Sequence, residues 1–294
     1  MAEGPMPESR TPVGVEPAAI DLPAERARRL DATPLARATG FELVACWNGR
    51  ADAILPTLPA NRAAEDDDAI HPSALIGFLD HLAGYAVASL VPGHVGISTM
   101  ELQVALTGAR PHGAVRGAAE CVGPPGDSTL VRGEAVDEAG QVVATCSGWF
   151  AVGAFPGGFS DSSGIEEPVP DLGEVVGPYE RLIGLEAAGE GDARLLPDVV
   201  PAIGWIGLPA LHGGAIAAVL VKACEERLLA LRRPGFRLAT ITIRYLRAAR
   251  AEEGLLATAV CDWPGRRAAH LAVRCAPEAG RDCAQAQAFF VPVK

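Results

Sequence analysis

The sequence predicts an α+β protein made of two tandem units, each an antiparallel sheet wrapped around one buried central helix. Three observations predict it. Between residues 72 and 91 only Asp80, His81 and Tyr85 are neither apolar nor small. A helix that is apolar all round must be surrounded by protein. Four β-rich runs follow it, at 97–107, 114–122, 128–136 and 142–152, with a turn signal at Asp137-Glu138-Ala139-Gly140. The same order then returns: His71 to His212 is 141 residues, and Pro277-Glu278-Ala279-Gly280 and Phe289-Phe290 repeat the earlier turn and Trp149-Phe150 at an offset of 140. A period this long signals duplicated domains, not a solenoid.

The elements follow in order. Residues 1–30 read as a loose leader rich in Pro, Gly and acids, with no basic flank and apolar run of the kind that marks a signal peptide. A short helix is expected over 25–38, strands over 41–46 and 51–55, and a polar, acidic loop over 61–68. The first unit spans 31–153. Residues 154–175, rich in Gly, Pro, Ser and acids, read as a linker. The second unit, 176–294, opens with an apolar segment at 182–185 and a loop over 197–209. A helix over 213–230 follows, then strands at 239–246, 254–263, 268–275 and 283–291. The charge-free stretch 199–221 is long enough to span a membrane. Pro201, Pro209 and a Gly-Gly pair break it, so it reads as a loop entering a buried helix.

Composition narrows the function. A net charge of −11 disfavours nucleic acid and anionic membrane surfaces as partners. With 49% hydrophobic residues and a mean hydropathy of +0.20, 294 residues can bury two cores. Aromatics make up only 5%, so those cores must be built from Ala, Val, Leu and Ile. The seven cysteines are dispersed and form neither a CxxC nor a Cys/His cluster. That fits reduced thiols in a cytoplasmic protein, with no metal site. No Walker or Rossmann phosphate loop is present, so no nucleotide cofactor is expected.

The two copies differ where chemistry would sit. The first reads His71-Pro72-Ser73 and carries Asp80 nine residues after its His. The second reads His212-Gly213-Gly214 and has Val221 at the matching place. A carboxylate in the middle of an apolar helix is expensive unless it is paired, protonated or used, which makes Asp80 a candidate reactive group. Gly213, at a helix N-terminus, offers a backbone N–H that no side chain shields. Pro72 in the same position has no N–H to offer.

The His-Gly-Gly of one half, with His71, Leu79-Asp80 and Gly96-Ile97-Ser98 of the other, resembles the hotdog-fold acyl-CoA thioesterases of the PaaI type. Both halves fit from helix to last strand, so the chain resembles a tandem double hotdog, a dimer fused into one polypeptide. The resemblance implies hydrolysis of an acyl-CoA or acyl carrier protein thioester at a site formed across the two halves. It casts Asp80 as general base or nucleophile and Gly213 as oxyanion donor, with Ser98, eighteen residues after Asp80, helping to position water. It assigns His212, Gly214, His71 and Ile206 to the substrate-binding surroundings. Many members carry Asn or Gln where this chain has Ile206, which points to an apolar acyl pocket on that side. Arg244, Arg247 and Arg250 are candidates for coenzyme A phosphates. Pro72 and Val221 would leave the second site dead. A hotdog dehydratase or hydratase and a non-catalytic acyl-CoA-binding double hotdog are the alternatives. The acyl chain, and whether several double hotdogs form a homo-oligomer, stay open.

Overall fold

The structure is a computed structural model that describes residues 33–64, 67–92, 95–111, 113–153, 177–189, 191–196, 204–205, 208–278 and 280–293. The leader, the linker at 154–175 and Ile206 lie outside them.

The first half begins with a helical turn, Pro34–Thr39, which Gly40 ends in the left-handed region (φ 67°). The strands β1 (Glu42–Trp47) and β2 (Arg50–Leu55) follow as a hairpin. Next come β3 (Arg62–Ala64) and β4 (Asp67–Ile70), a small hairpin where the sequence suggested only a loop. It has no alternating apolar pattern to read. Local polar bonds hold its base: the Asn61 side chain donates to the Thr39 and Pro56 carbonyls at 2.7 Å each, and the His71 N–H donates to the Asn61 carbonyl.

The central helix Pro72–Ala88 is followed by β5 (Gly96–Leu106), β6 (Val115–Val122), β7 (Ser128–Val136) and β8 (Val142–Gly153). The helix stops at Ala88, three residues before the apolar run does. Ser89 caps it, and its hydroxyl also accepts the Gly49 N–H at 2.7 Å.

The second half repeats this plan. A short helix, Tyr179–Leu182, precedes β9 (Leu185–Gly189) and β10 (Asp192–Leu195), where the sequence showed only an apolar segment at 182–185. The small pair β11 (Gly204–Trp205) and β12 (Leu208–Leu211) leads into the second central helix, Gly213–Ala230. Then come β13 (Phe236–Tyr245), β14 (Leu255–Pro264), β15 (Ala269–Ala276) and β16 (Ala284–Pro292). Among the described residues no helix is long and apolar enough to cross a membrane.

Twelve strands form one antiparallel sheet in the order β1-β2-β6-β7-β8-β5-β13-β16-β15-β14-β10-β9. Each half supplies six neighbouring strands, and the two join where β5 meets β13. Their register pairs Leu102 with Ile243, Gln103 with Thr242 and Val104 with Ile241. Exchanging the halves about the Gln103–Thr242 pair turns the first of these pairs into the third, so the seam has the geometry of a two-fold interface. The two tandem hotdog units therefore form a pseudo-dimer.

Each central helix packs on its own half of the sheet, and the two helices pack on each other. Val and Leu of the helices, with Leu102, Val104, Ile241 and Ile243 of the seam, form one continuous buried core. The helices meet at two glycines. A Cβ on Gly214 would stand 2.7 Å from the Gly77 Cα, whereas one on Gly77 would sit 3.4 Å from the Gly214 Cα. The first is a clash with backbone and the second is ordinary contact.

The two substitutions should therefore differ in sign. Gly214→Ala should destabilise the protein by about 1–3 kcal/mol. Gly77→Ala should be neutral or stabilising by up to about 1 kcal/mol, because Ala favours a helix interior. Urea titrations of the two variants check this.

Candidate active site

Both central helices start in the same unusual way. The residue before each is a histidine whose side chain acts as the N-cap. His71 Nδ1 accepts the Ser73 N–H at 3.1 Å, and His212 Nδ1 accepts the Gly214 N–H at 2.9 Å. In each case the cap satisfies one first-turn donor. The N–H of Gly213 itself has no partner among the described residues, and Gly213 as a residue is partly exposed. At the matching place Pro72 has no N–H.

The helix crossing brings this N-terminus onto Asp80. A Cβ at Gly213 would collide with Asp80 Oδ2 and would lie 3.4 Å from the Tyr245 hydroxyl. A side chain there would have to displace the Asp80 carboxylate. Asp80 is 5% exposed, and its Oδ1 accepts a 2.8 Å bond from the Thr99 hydroxyl on β5. That leaves Oδ2 facing Gly213. Burial raises the Asp80 pKa to about 6 against the opposing effect of the Thr99 bond. From β13, the Tyr245 hydroxyl donates to the Gly213 carbonyl at 3.2 Å. Burial, with Asp80 nearby, holds its pKa well above the usual tyrosine value, so it stays a neutral donor.

The residues flanking this pair are also joined. His81 Nδ1 and His212 Nε2 are 3.0 Å apart. Because His212 Nδ1 is the acceptor at the cap, its proton sits on Nε2 and is given to His81 Nδ1, which puts the His81 proton on Nε2. Burial lowers the pKa of His212 to about 4 and that of His81 well below its ordinary value, His212 adding to the latter. Both rings are neutral at neutral pH. Cys146 is no rival nucleophile: burial, with Asp80 close by, pushes its thiol up to about 12.

The structure thus gathers Asp80, Gly213, Gly214 and His212 at one point. It does not bring Ser98 there. Ser98 pairs with Ala151 and Thr99 with the buried Phe150, so the two face opposite sides of β5, and the hydroxyl on Asp80 is that of Thr99. A bulge between Thr99 and Glu101 sets that register, and no spacing rule in one sequence reveals it. Thr99 and Tyr245 are the residues that sequence reading missed.

His71 lies at the pseudo-symmetric place. Its Nε2 is 3.8 Å from Glu180, which also binds Lys222 at 3.2 Å, and Tyr179 stacks on its ring. Burial would raise the Glu180 carboxyl, but His71 and Lys222 outweigh it and hold it below its ordinary value. Of the arginines, Arg244 pairs with Glu101 and Arg250 with Glu252, while Arg247 is exposed and enters no ion pair among the described residues. A small cavity lies against the helix crossing, lined by Phe41, Gly77, Phe78, His81, Tyr179 and His212. Neither Asp80 nor Gly213 lines it. No cluster among the described residues could hold a metal.

Residues 202–291 match the family model of the Acyl-CoA thioesterase N-terminal domain. No curated protein matches the chain by sequence. Among solved structures, the chain is similar to the tesB protein of Mycobacterium avium subsp. paratuberculosis at 13% identity and TM-score 0.60, covering 88% of this chain and 98% of that one. It is also similar to a putative thioesterase II from Thermobifida fusca at 12% identity and TM-score 0.59, covering 89% and 98%. A third is the 12:0-ACP thioesterase from Umbellularia californica, at 9% identity and TM-score 0.56, covering 83% and 95%. At these identities the structures establish the hotdog fold across both halves. The domain match over 202–291 agrees with the thioesterase resemblance read from the sequence.

The raised Asp80 pKa carries a stability consequence. The folded state holds the proton more tightly than the unfolded chain, so stability falls as pH rises from about 4 to about 6, and the penalty is complete above that. Asp80→Asn, which can still accept the Thr99 bond, should therefore be more stable than wild type at pH 7, by on the order of 1–3 kcal/mol. The gap should close near pH 4. Thermal melts of both proteins across that range check it.

Proposed function

We propose that this hotdog hydrolase cleaves acyl-CoA or acyl carrier protein thioesters at one composite site, with Asp80 from the first half and the Gly213 N–H from the second. One observation carries the reading: Asp80 Oδ2, the carboxylate oxygen left free by Thr99, lies against Gly213 Cα. A thioester carbonyl whose oxygen takes the Gly213 N–H would then have its carbon beside Oδ2. Asp80 either removes a proton from water as that water attacks the carbon, or attacks directly. Both routes use the same oxygen. In the first route the C–S bond breaks as Asp80 passes the water's proton to the departing thiolate, leaving the carboxylic acid. In the second the thiolate is expelled first, and water then hydrolyses the Asp80 anhydride, supplying the thiol's proton and releasing the carboxylic acid. The developing oxyanion is met by one N–H, aided by the positive end of the helix dipole.

The pseudo-symmetric place is read as inactive. It has Val221 for Asp80 and Pro72 for Gly213. Its Leu238 pairs with Phe290 as Thr99 pairs with Phe150, so it has no hydroxyl there either. We assign the exposed Arg247 as a candidate for coenzyme A phosphates, since its two neighbours are already paired. All seven cysteines are free, which supports a reducing, cytoplasmic setting.

Thiol release from a panel of acyl-CoA chain lengths tests the proposal. Wild type should release thiol, with kcat/KM rising as pH rises through about 6, where Asp80 ionises. Asp80→Asn and Asp80→Ala should each lose at least about a hundred-fold in kcat, while Val221→Ala should match wild type. A wild type that binds acyl-CoA and releases no thiol at any chain length would instead support the non-catalytic reading. An effect of Val221→Ala as large as that of Asp80→Ala would refute the single site.

A further inference from the structure

The pseudo-two-fold gives the chain an internal control, because each place in the proposed site has a counterpart in the other half. The strands of the two seam pairs define the correspondence. On β5 and β8, Thr99 pairs with Phe150 and Leu106 with Ala144. On β13 and β16, Leu238 pairs with Phe290 and Tyr245 with Ala284. The bulge falls after Thr99 in one pair and after Leu238 in the other. Thr99 therefore corresponds to Leu238, and Tyr245 to Leu106. The active half-site holds Asp80, Thr99, Gly213 and Tyr245, whereas the other holds Val221, Leu238, Pro72 and Leu106. The carboxylate, the two hydroxyls and the N–H of the first set are each missing from the second.

The contacts say what the fourth member does. The first turn of the Gly213–Ala230 helix begins with two glycines, so its own side chains cannot fix it. His212 ties the Gly214 N–H from one side. Tyr245 ties the Gly213 carbonyl from the other, reaching from the last residue of β13. Because β13 pairs directly with the strand that carries Thr99, the same seam fixes the acid through Thr99 and the glycine through Tyr245. We propose that Tyr245 is a positioning residue of the composite site, holding the Gly213 turn in line with Asp80 so that the amide meets the reacting carbonyl.

The proposal rests on the thioesterase reading above, and the test separates the two. Steady-state hydrolysis of one acyl-CoA is measured for wild type, Asp80→Asn, Tyr245→Phe and Leu106→Met, together with their melting temperatures. Tyr245→Phe keeps the ring and removes only the hydroxyl. It should lower kcat about ten-fold with KM within about two-fold, and lower Tm by only about 2 °C, as the loss of one hydrogen bond does. Leu106→Met, at the counterpart, should leave kcat unchanged. If Asp80→Asn is inactive and Tyr245→Phe keeps wild-type kcat, the inference falls and the site assignment stands. A change confined to KM or Tm also overturns it, since it marks a merely structural hydroxyl. If Asp80→Asn turns over normally, both fall together.

Discussion

The close crossing of the two central helices is the constraint on which the rest of this molecule depends. Gly77 and Gly214 carry no side chains, so two helices can approach until a methyl group on one would clash with the backbone of the other. Everything chemical lies within one turn of that contact. One residue before Gly214 is the amide, and three residues after Gly77 is the acid. The His81–His212 bond closes the remaining edge, tying the residue next to Asp80 to the residue next to Gly213. Such a bond between neutral, buried rings leaves the charge of the site to Asp80 alone.

The same constraint explains how a carboxylate survives in an apolar helix. Asp80 is satisfied at one oxygen by Thr99. Among the described residues the other oxygen has no hydrogen-bond partner and faces a first helical turn whose Gly213 N–H has none either. The resulting rise in pKa to about 6 is the trace of that incomplete satisfaction. Stability would be served by Val, which is what the second half holds. The proposed function is served by the acid.

The opposite place shows the other solution to the same geometry. Position 222 corresponds to His81 by the spacing of the helices, and it holds Lys222. Glu180 stands between Lys222 and His71, at 3.2 and 3.8 Å, so a carboxylate bridges the two helices where a ring-to-ring bond joins them on the Asp80 side. The two sides of the pseudo-dimer are thus braced differently, one by two neutral rings and the other through the Glu180 carboxylate.

Much of this was legible in the chain itself. The all-round apolar helix, the four strands after each helix and the 140-residue repeat determined the architecture, because burial and strand pairing leave a periodic record in sequence. The chemical asymmetry of Asp80 against Val221 and of Gly213 against Pro72 was legible too, since residue type alone tells which group can act as a base and which can donate. The polar hairpin β3–β4 escaped because it is held by local hydrogen bonds and not by an apolar face. The resemblance points to Ser98 by its spacing from Asp80, whereas the hydroxyl on Asp80 is that of Thr99, because one residue on a strand reverses the face. Tyr245 was invisible because its partner lies 32 residues away, on another element. The sequence determined which groups exist and which half carries each. Only the tertiary structure decided which of them meet, because the distance between two helix termini is set by how closely their backbones can pack, and no one-dimensional pattern records that.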